Sequence, residues 1–256
     1  MAVHTEAPMS DILVTDDGPV RTIRMNRPEK KNALTLAMYE TMAAAISSTA
    51  HNDDIRCLLM AGTPDVYCAG NDIGDFMKMA TGGGLGQPIL DFLHALASCE
   101  KPIVAAVNGN AVGVGCTMLM HCDHVVAGES AKLSTPFVAL GLVPEAASSL
   151  IAPRLMGHAR AFSLLVMGKP LTAQEAKEAG IVNTVVPAAR TDETALEAAR
   201  AISALPPQGV LLSRRLMRGS REEIARRIDE EADAFKLRLK SPEAQAAFMA
   251  FMARKK

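Results

Sequence analysis

Two short glycine-bearing stretches carry residue types able to hold a negative oxygen. Gly113-Val114-Gly115 follows an apolar, β-branched run from Ile103 to Val107, the pattern of a fully buried strand. It opens a segment, Cys116 to Cys122, that is apolar nearly all round and predicts a buried helix. A strand that feeds a glycine turn into a helix start leaves unpaired backbone N–H groups aimed at one point, with the helix dipole behind them. Cys68-Ala69-Gly70 repeats the pattern after a second buried run, Arg56 to Ala61. One N–H from each loop makes a donor pair, which is what an enolate or a tetrahedral oxyanion requires. The same glycines have a plainer use in letting strands enter helices tightly, and the residues alone leave both uses open.

Other reactive side chains point elsewhere. His121-Cys122-Asp123-His124 has metal-ligand types, but it lies in an apolar strand-helix setting with no second ligand cluster, so no metal is expected. Cys68 adjoins the first loop without a histidine placed to activate it and reads as a small filler. Asn71 and Asp72 read as turn formers. The five cysteines, Cys57, Cys68, Cys99, Cys116 and Cys122, form no CxxC pair, and their odd count suits reduced thiols in a cytoplasmic protein.

The elements that position these loops fit a globular α/β chain. With 256 residues, 49% of them hydrophobic and 21% charged, one domain with an appended segment is expected. A net charge of −1 supplies no field for nucleic acid. No apolar stretch approaches a bilayer span, and MAVHTEAPMS lacks the basic and apolar regions of a signal peptide. Asp16-Asp17-Gly18 predicts a hairpin between Ile12–Thr15 and Val20–Met25. Leu36, Tyr39, Ala43, Ile46 and Ala50 recur at helical spacing, and Gly82 to Gly86 reads as a flexible insert before a helix from Pro88 to Cys99. Helices are expected at 145–156, 158–167 and 172–179, the last with Thr172 and Glu175 as a capping box and Gly180 as stop. Val182–Val186 reads as a last strand. From Asp192 onward the pattern is helical, with a stripe of Ile224, Ile228, Phe235, Leu239, Phe248 and Phe251 that looks too apolar to face water. Residues 1–195 are therefore read as an α/β body and 196–256 as a helical oligomerisation region. The arginines at 214, 215, 218, 221, 226 and 227 read as a solvated helix face.

Five stretches in this order resemble the enoyl-CoA hydratase/isomerase (crotonase) family: NRPEKKNALT (26–35), YCAGNDI (67–73), KPIVAAVNGNAVGVGCTMLMHCD (101–123), LSTPFVALGLVPEAASSLIAPRLMG (133–157) and LTAQEAKEAGIVNTVVP (171–187). The resemblance implies a spiral of ββα units with a helical C-terminal region, assembly as a homotrimer or hexamer, and an acyl-CoA thioester as substrate. Coenzyme A then belongs to the substrate and no separate cofactor is implied. On the matching positions the two oxyanion donors become the N–H groups of Ala69 and Val114. Cys68, Gly70, Asp72, Ile73 and Gly113 fall in the substrate-binding loops. Lys30, Lys31 and Ala33 match the adenine and pantetheine contacts.

The acids of the motif separate branches of the family. The positions that match the two hydratase glutamates hold Thr117 and Phe137, neither able to act as a carboxylate base. A glutamate does stand at Glu145, in VPEAASS, a stretch that resembles the Δ3,Δ2-enoyl-CoA isomerase branch, where it shuttles a proton between C2 and C4. Without the resemblance, Glu145 reads as a carboxylate complementing a helix N-terminus. Thioester hydrolysis, a hydratase-like reaction and a non-catalytic acyl-CoA-binding role are the alternatives. A dinucleotide-binding reading of GNAVGVG is disfavoured, because the motif lies mid-chain and neither Tyr39 nor Tyr67 is followed four residues on by lysine.

Overall fold

Gly18, at φ +55°, turns the chain between strand β1 (Ile12–Asp17) and strand β2 (Val20–Met25), which pair antiparallel from Ile12↔Met25 to Asp17↔Val20. The computed structural model describes residues 10–72, 74, 75 and 86–253; Ile73 and most of the glycine insert lie outside the described residues. Strands β3 (Cys57–Ala61) and β4 (Ile103–Val107) are buried at every position, which is why they read as unbroken apolar runs. With β6 (His124–Gly128) and β9 (Thr184–Val186) they complete a sheet of order β1-β2-β3-β4-β6-β9, parallel beyond the first pair. A smaller sheet runs β5-β7-β8, from Asn110–Val112, Lys132–Ser134 and Leu171–Thr172.

The two sheets grow together. After β4 the chain crosses to β5 and then enters a helix; after β6 it crosses to β7 and again reaches a helix. Each unit thus sends one strand to each sheet, giving a spiral of ββα turns. Helix α1 (Leu36–Ser47), capped by the Thr35 hydroxyl on the Met38 N–H, packs on α2 (Gln87–Ser98), with the Tyr39 and Phe92 rings edge to face at 5.4 Å. Helix α3 is a single turn, Val114–Thr117, continued by a 3₁₀ turn through His121. Helix α4 (Ser148–Leu165) breaks at Gly157, whose φ of +76° separates the two helical pieces that the sequence pattern predicts. Helix α5 (Ala173–Glu178) carries the expected Thr172–Glu175 capping box.

The remaining helices are α6 (Thr191–Ser203), α7 (Pro207–Arg218), α8 (Arg221–Leu239) and α9 (Pro242–Ala253). A boundary at 195/196 falls inside α6, which packs on β3, β4 and β6 through Ala195 and Ala199. The apolar stripe is also used within the chain. Ile224, Ile228, Phe235, Leu239 and Phe248 are at most 6% exposed and join the main core, so they leave no open face; the Phe251 side chain lies outside the described residues. Exposed apolar residues of the helical region lie off this stripe, at Leu212, Leu216 and Met217 on α7, Leu237 on α8 and Met249 on α9. Nor are the arginines uniformly solvated. Arg214 is 8% exposed, pairs with Asp123 at 2.8 Å and donates to the Glu100 carbonyl, pinning α7 to the entrance of β4.

Candidate active site

Consecutive turns of the spiral bring the two glycine loops together. The Cys68 N–H donates to the Asn110 carbonyl at 3.0 Å and the Cys68 carbonyl accepts the Val112 N–H at 2.9 Å, so Cys68 forms a rung beside β5. Gly115 lets α3 sit directly on this loop. A Cβ there would lie 2.7 Å from the Cys68 Cβ and 2.9 Å from its carbonyl oxygen. Gly113, at φ +57°, swings the chain from β5 into α3 and leaves Val114 at the first helical position, where an N–H has no intrahelical acceptor. The Phe137 ring, buried, borders Gly113.

The first loop departs from expectation by two residues. The Ala69 N–H does not face the Val114 side; it donates to the Lys31 carbonyl at 3.0 Å. Strand alternation gives the reason. Leu34 bonds the Gly70 carbonyl and the Asp72 N–H, both at 2.8 Å, which turns the Asn71 N–H to the opposite flank, where β5 leads into α3. Among the described residues no acceptor takes that N–H. The Gly70 N–H faces the Cys68 sulfur at 3.4 Å, and a Cβ on Gly70 would lie only 3.0 Å from the Val112 carbonyl oxygen. Asn71 is held in place by the Tyr39 hydroxyl, which donates to its side-chain oxygen at 2.7 Å.

The loop carrying Lys30, Lys31 and Ala33 is tied to the same place by Asn32. This fully buried side chain accepts the Arg27 N–H at 2.8 Å and donates to the Val66 and Tyr67 carbonyls at 2.9 and 3.1 Å. Asn32 and Lys31 both adopt the left-handed region, which an asparagine tolerates better than most residues. Lys30 and Lys31 are exposed and Ala33 is half-buried. Asp72 accepts from Arg27 at 2.8 Å and from the Gly74 N–H at 2.8 Å. Burial pushes its carboxyl up, but these partners together hold it below the usual carboxylate range.

Glu145 faces the loops from the other side. Its side chain is buried and accepts the hydroxyl of Thr117, the last residue of α3. Burial lifts its pKa from 4.5 to about 8, opposed by the Thr117 hydrogen bond and assisted by the negative charge of Glu231. The turn that presents it is strained. Ala146 and Ala147 both have positive φ, +61° and +54°, before α4 begins at Ser148. His121 holds this turn through a 2.8 Å contact from Nε2 to the Ala146 carbonyl, and burial keeps the imidazole neutral, with its pKa pushed down to about 4. With Asp123 engaged by Arg214 and Ile103, His121 and Asp123 serve structural ends. Burial pushes the Cys68 and Cys116 thiols up to about 12, so neither is a ready nucleophile.

The site therefore combines two outward N–H groups, Asn71 and Val114, with one buried carboxylate of raised proton affinity. The structure joins Thr117 to Glu145 on the turn that begins at Val114, three residues the sequence singles out, and adds Asn32, Tyr39, His121 and the Asn71 N–H, which it does not. The left-handed asparagine in the polar loop is the one of these with a sequence signal.

Known proteins are similar to this chain in sequence and fold. A solved enoyl-CoA hydratase/isomerase from Pseudoalteromonas atlantica T6c superposes with a TM-score of 0.90 at 39% identity, covering 96% of this chain and 98% of that one. The rat enoyl-CoA delta isomerase 2 is 37% identical over 251 residues, which are 95% of this chain and 64% of the relative. The chain thus spans less than two thirds of that relative's length. The Escherichia coli 1,2-epoxyphenylacetyl-CoA isomerase is 32% identical over 254 residues, covering 96% of this chain and 97% of the relative. The family description "Enoyl-CoA hydratase/isomerase" matches residues 16–256. With the spiral fold, the paired glycine loops and this match over nearly the whole length, the chain belongs to the enoyl-CoA hydratase/isomerase family.

Proposed function

We propose that the protein is a Δ3,Δ2-enoyl-CoA isomerase in which Glu145 is the single acid/base. The observation that carries this reading is the buried Glu145 carboxylate, held by Thr117 and raised in proton affinity to about 8. Asp72, another carboxylate near the loops, is held ionised by Arg27 and is poorly suited to carry a proton.

In the reaction, the Glu145 carboxylate takes a proton from C2 of the 3-enoyl thioester. The C–H electron pair moves into C1–C2, and the thioester oxygen gains the charge of a dienolate. The N–H groups of Asn71 and Val114 would hold that oxygen, and one such donor is typically worth about 2.7–4 kcal/mol of transition-state stabilisation. Glu145 then returns the proton to C4, the double bond settles between C2 and C3, and the carbonyl re-forms. No cofactor is needed, since coenzyme A arrives with the substrate. Lys30 and Lys31, exposed on the Asn32-anchored loop, would meet its phosphates as point charges. Thr117 and Phe137 occupy the positions that, by resemblance, hold the two hydratase glutamates, so hydration is expected to be feeble.

The test is a panel of 3-enoyl- and 2-enoyl-CoA thioesters of several chain lengths, assayed with the wild type and Glu145→Gln. Isomerisation should dominate over hydration in the wild type. The variant should bind acyl-CoA nearly as well while losing on the order of 10²–10⁴ in kcat. Equal rates in variant and parent would show Glu145 to be only a helix-end residue.

A further inference from the structure

Glu231 lies in α8, far along the chain from the loops, yet its carboxylate reaches the helix that begins just after Glu145. It is 7% exposed and accepts the Ser149 N–H at 2.9 Å. Ser149 is in the first turn of α4, and the N-cap residue Ala147 offers that turn no side-chain acceptor. Glu231 therefore fills from another helix the place a local cap would take. Its second oxygen, Oε2, is buried without a hydrogen-bond partner among the described residues. Arg227, one turn earlier on α8, donates to the Ser149 hydroxyl at 3.1 Å and bonds Glu230 at 2.9 Å.

This placement bears on the neighbouring carboxylate. An open helix N-terminus beside Glu145 would stabilise its ionised form and make it a weaker base. We propose that Glu231 is a positioning residue that keeps Glu145 basic, by occupying the α4 N-terminus itself and setting a negative charge behind the proton-transfer group. The proposal rests on the reading of Glu145 as that group. The other groups facing Glu145 cannot substitute for this effect. Thr117 donates to it and favours its ionised form. Tyr39, Cys68 and Cys116 are all shifted upward, burial being the leading cause, and stay uncharged; His121 is held neutral. Around Glu231, burial pushes the carboxyl up, while Ser149, the Ala147 N–H and Arg227 favour the ionised form. The Ser149 N–H on one oxygen and the nearby Arg227 cation favour the carboxylate over the carboxylic acid.

The test titrates Glu145 directly, by the infrared carboxyl stretch that disappears in Glu145→Gln. In Glu231→Gln the amide oxygen still accepts the Ser149 N–H, but the charge is gone. The Glu145 midpoint should fall by about half a pH unit or more, and the acid limb of kcat/KM should move with it. A folded Glu231→Gln with an unchanged midpoint overturns the proposal. If that variant does not fold, Glu231→Asp decides, since the shorter side chain withdraws the carboxylate from the α4 N-terminus. The Glu145 midpoint should again fall, and an unchanged or raised midpoint overturns the proposal. Because the infrared signal does not depend on turnover, failure of the isomerase reading appears separately, as a Glu145→Gln variant that still isomerises.

Discussion

The Thr117 hydroxyl donates to the Glu145 carboxylate from the last residue of a helical turn whose first residue is Val114. One end of that turn presents an unpaired N–H, and the other orients the carboxylate. Four residues of α-helix span only about 6 Å, so both are held at a separation suited to one small reacting group.

That relationship sets a pH dependence. Glu145 must be ionised to act as base, and its pKa is raised to about 8. Below that value kcat/KM should climb roughly tenfold per pH unit and then level off. Thr117→Val removes a donor that favours the ionised form, so the limb should move to higher pH and activity at neutral pH should drop about 3–10-fold. A pH–rate profile of both proteins checks it, and a limb that moves downward would contradict the hydrogen bond's direction.

The same group leaves a mark on stability. Its folded pKa lies above its ordinary 4.5, so the stability it contributes is fully present below that value and is lost as pH rises through about 8. Glu145→Gln has no such loss. Its melting temperature relative to the wild type should therefore increase steadily from pH 5 to about pH 9, bounded by about 1.4 kcal/mol per pH unit. A constant gap across that range would mean that Glu145 does not titrate there.

Gly115→Ala should damage both fold and activity. The new Cβ would lie 2.7 Å from the Cys68 Cβ and 2.9 Å from backbone oxygen, so α3 must shift away from the first loop. Overpacking of this kind costs about 1–3 kcal/mol. Thermal unfolding reads the cost, and the Val114 N–H should lose alignment, lowering kcat more than it raises KM.

Arg214→Ala should be among the most destabilising changes in the helical region. It leaves the partly buried Asp123 side chain without its 2.8 Å partner, and losing a hydrogen bond to a charged group costs about 1.5–3 kcal/mol. Urea denaturation measures it. A loss under 1 kcal/mol would show that α7 is not anchored there.

The stripe expected to meet other subunits is buried, but Leu216 and Met217 are each 85% exposed and Leu212 is 53% exposed, so we predict that α7 contributes to a subunit contact. Light scattering at micromolar concentration should give a trimer or hexamer, and Leu216→Asp should lower the mass. A wild-type monomer would refute this assembly.

The sequence pattern carries most of the architecture and part of the site. Local signals are the most reliable. Thr172 and Glu175 form the expected capping box, Gly18 the hairpin turn, and Gly157 the break between two helical pieces. Glycine spacing also locates both loops. What it cannot report is which N–H of a loop faces which way, because a shift of one residue reverses the direction and only strand pairing decides it. Hence Ala69 bonds Lys31 while Asn71 faces the other flank. Long-range partners are invisible for a similar reason. An arginine at helical spacing looks solvated until Asp123, distant in sequence, is seen beside it. The α8 stripe likewise reads as an unmet apolar face because the core that receives it is built earlier in the chain.

The bridge from Cys68 to Ala111 has a consequence for how such a site diversifies. The two loops are neighbours across a backbone ladder, so the distance between their N–H groups is tied to inter-strand spacing, about 4.8 Å, and not to any side chain. Substitutions can reshape the pocket, exchange the acids or relocate the base while that ruler stays unchanged. The half of the proposed site that bears the N–H groups belongs to the scaffold, and the residues mounted around it are free to vary.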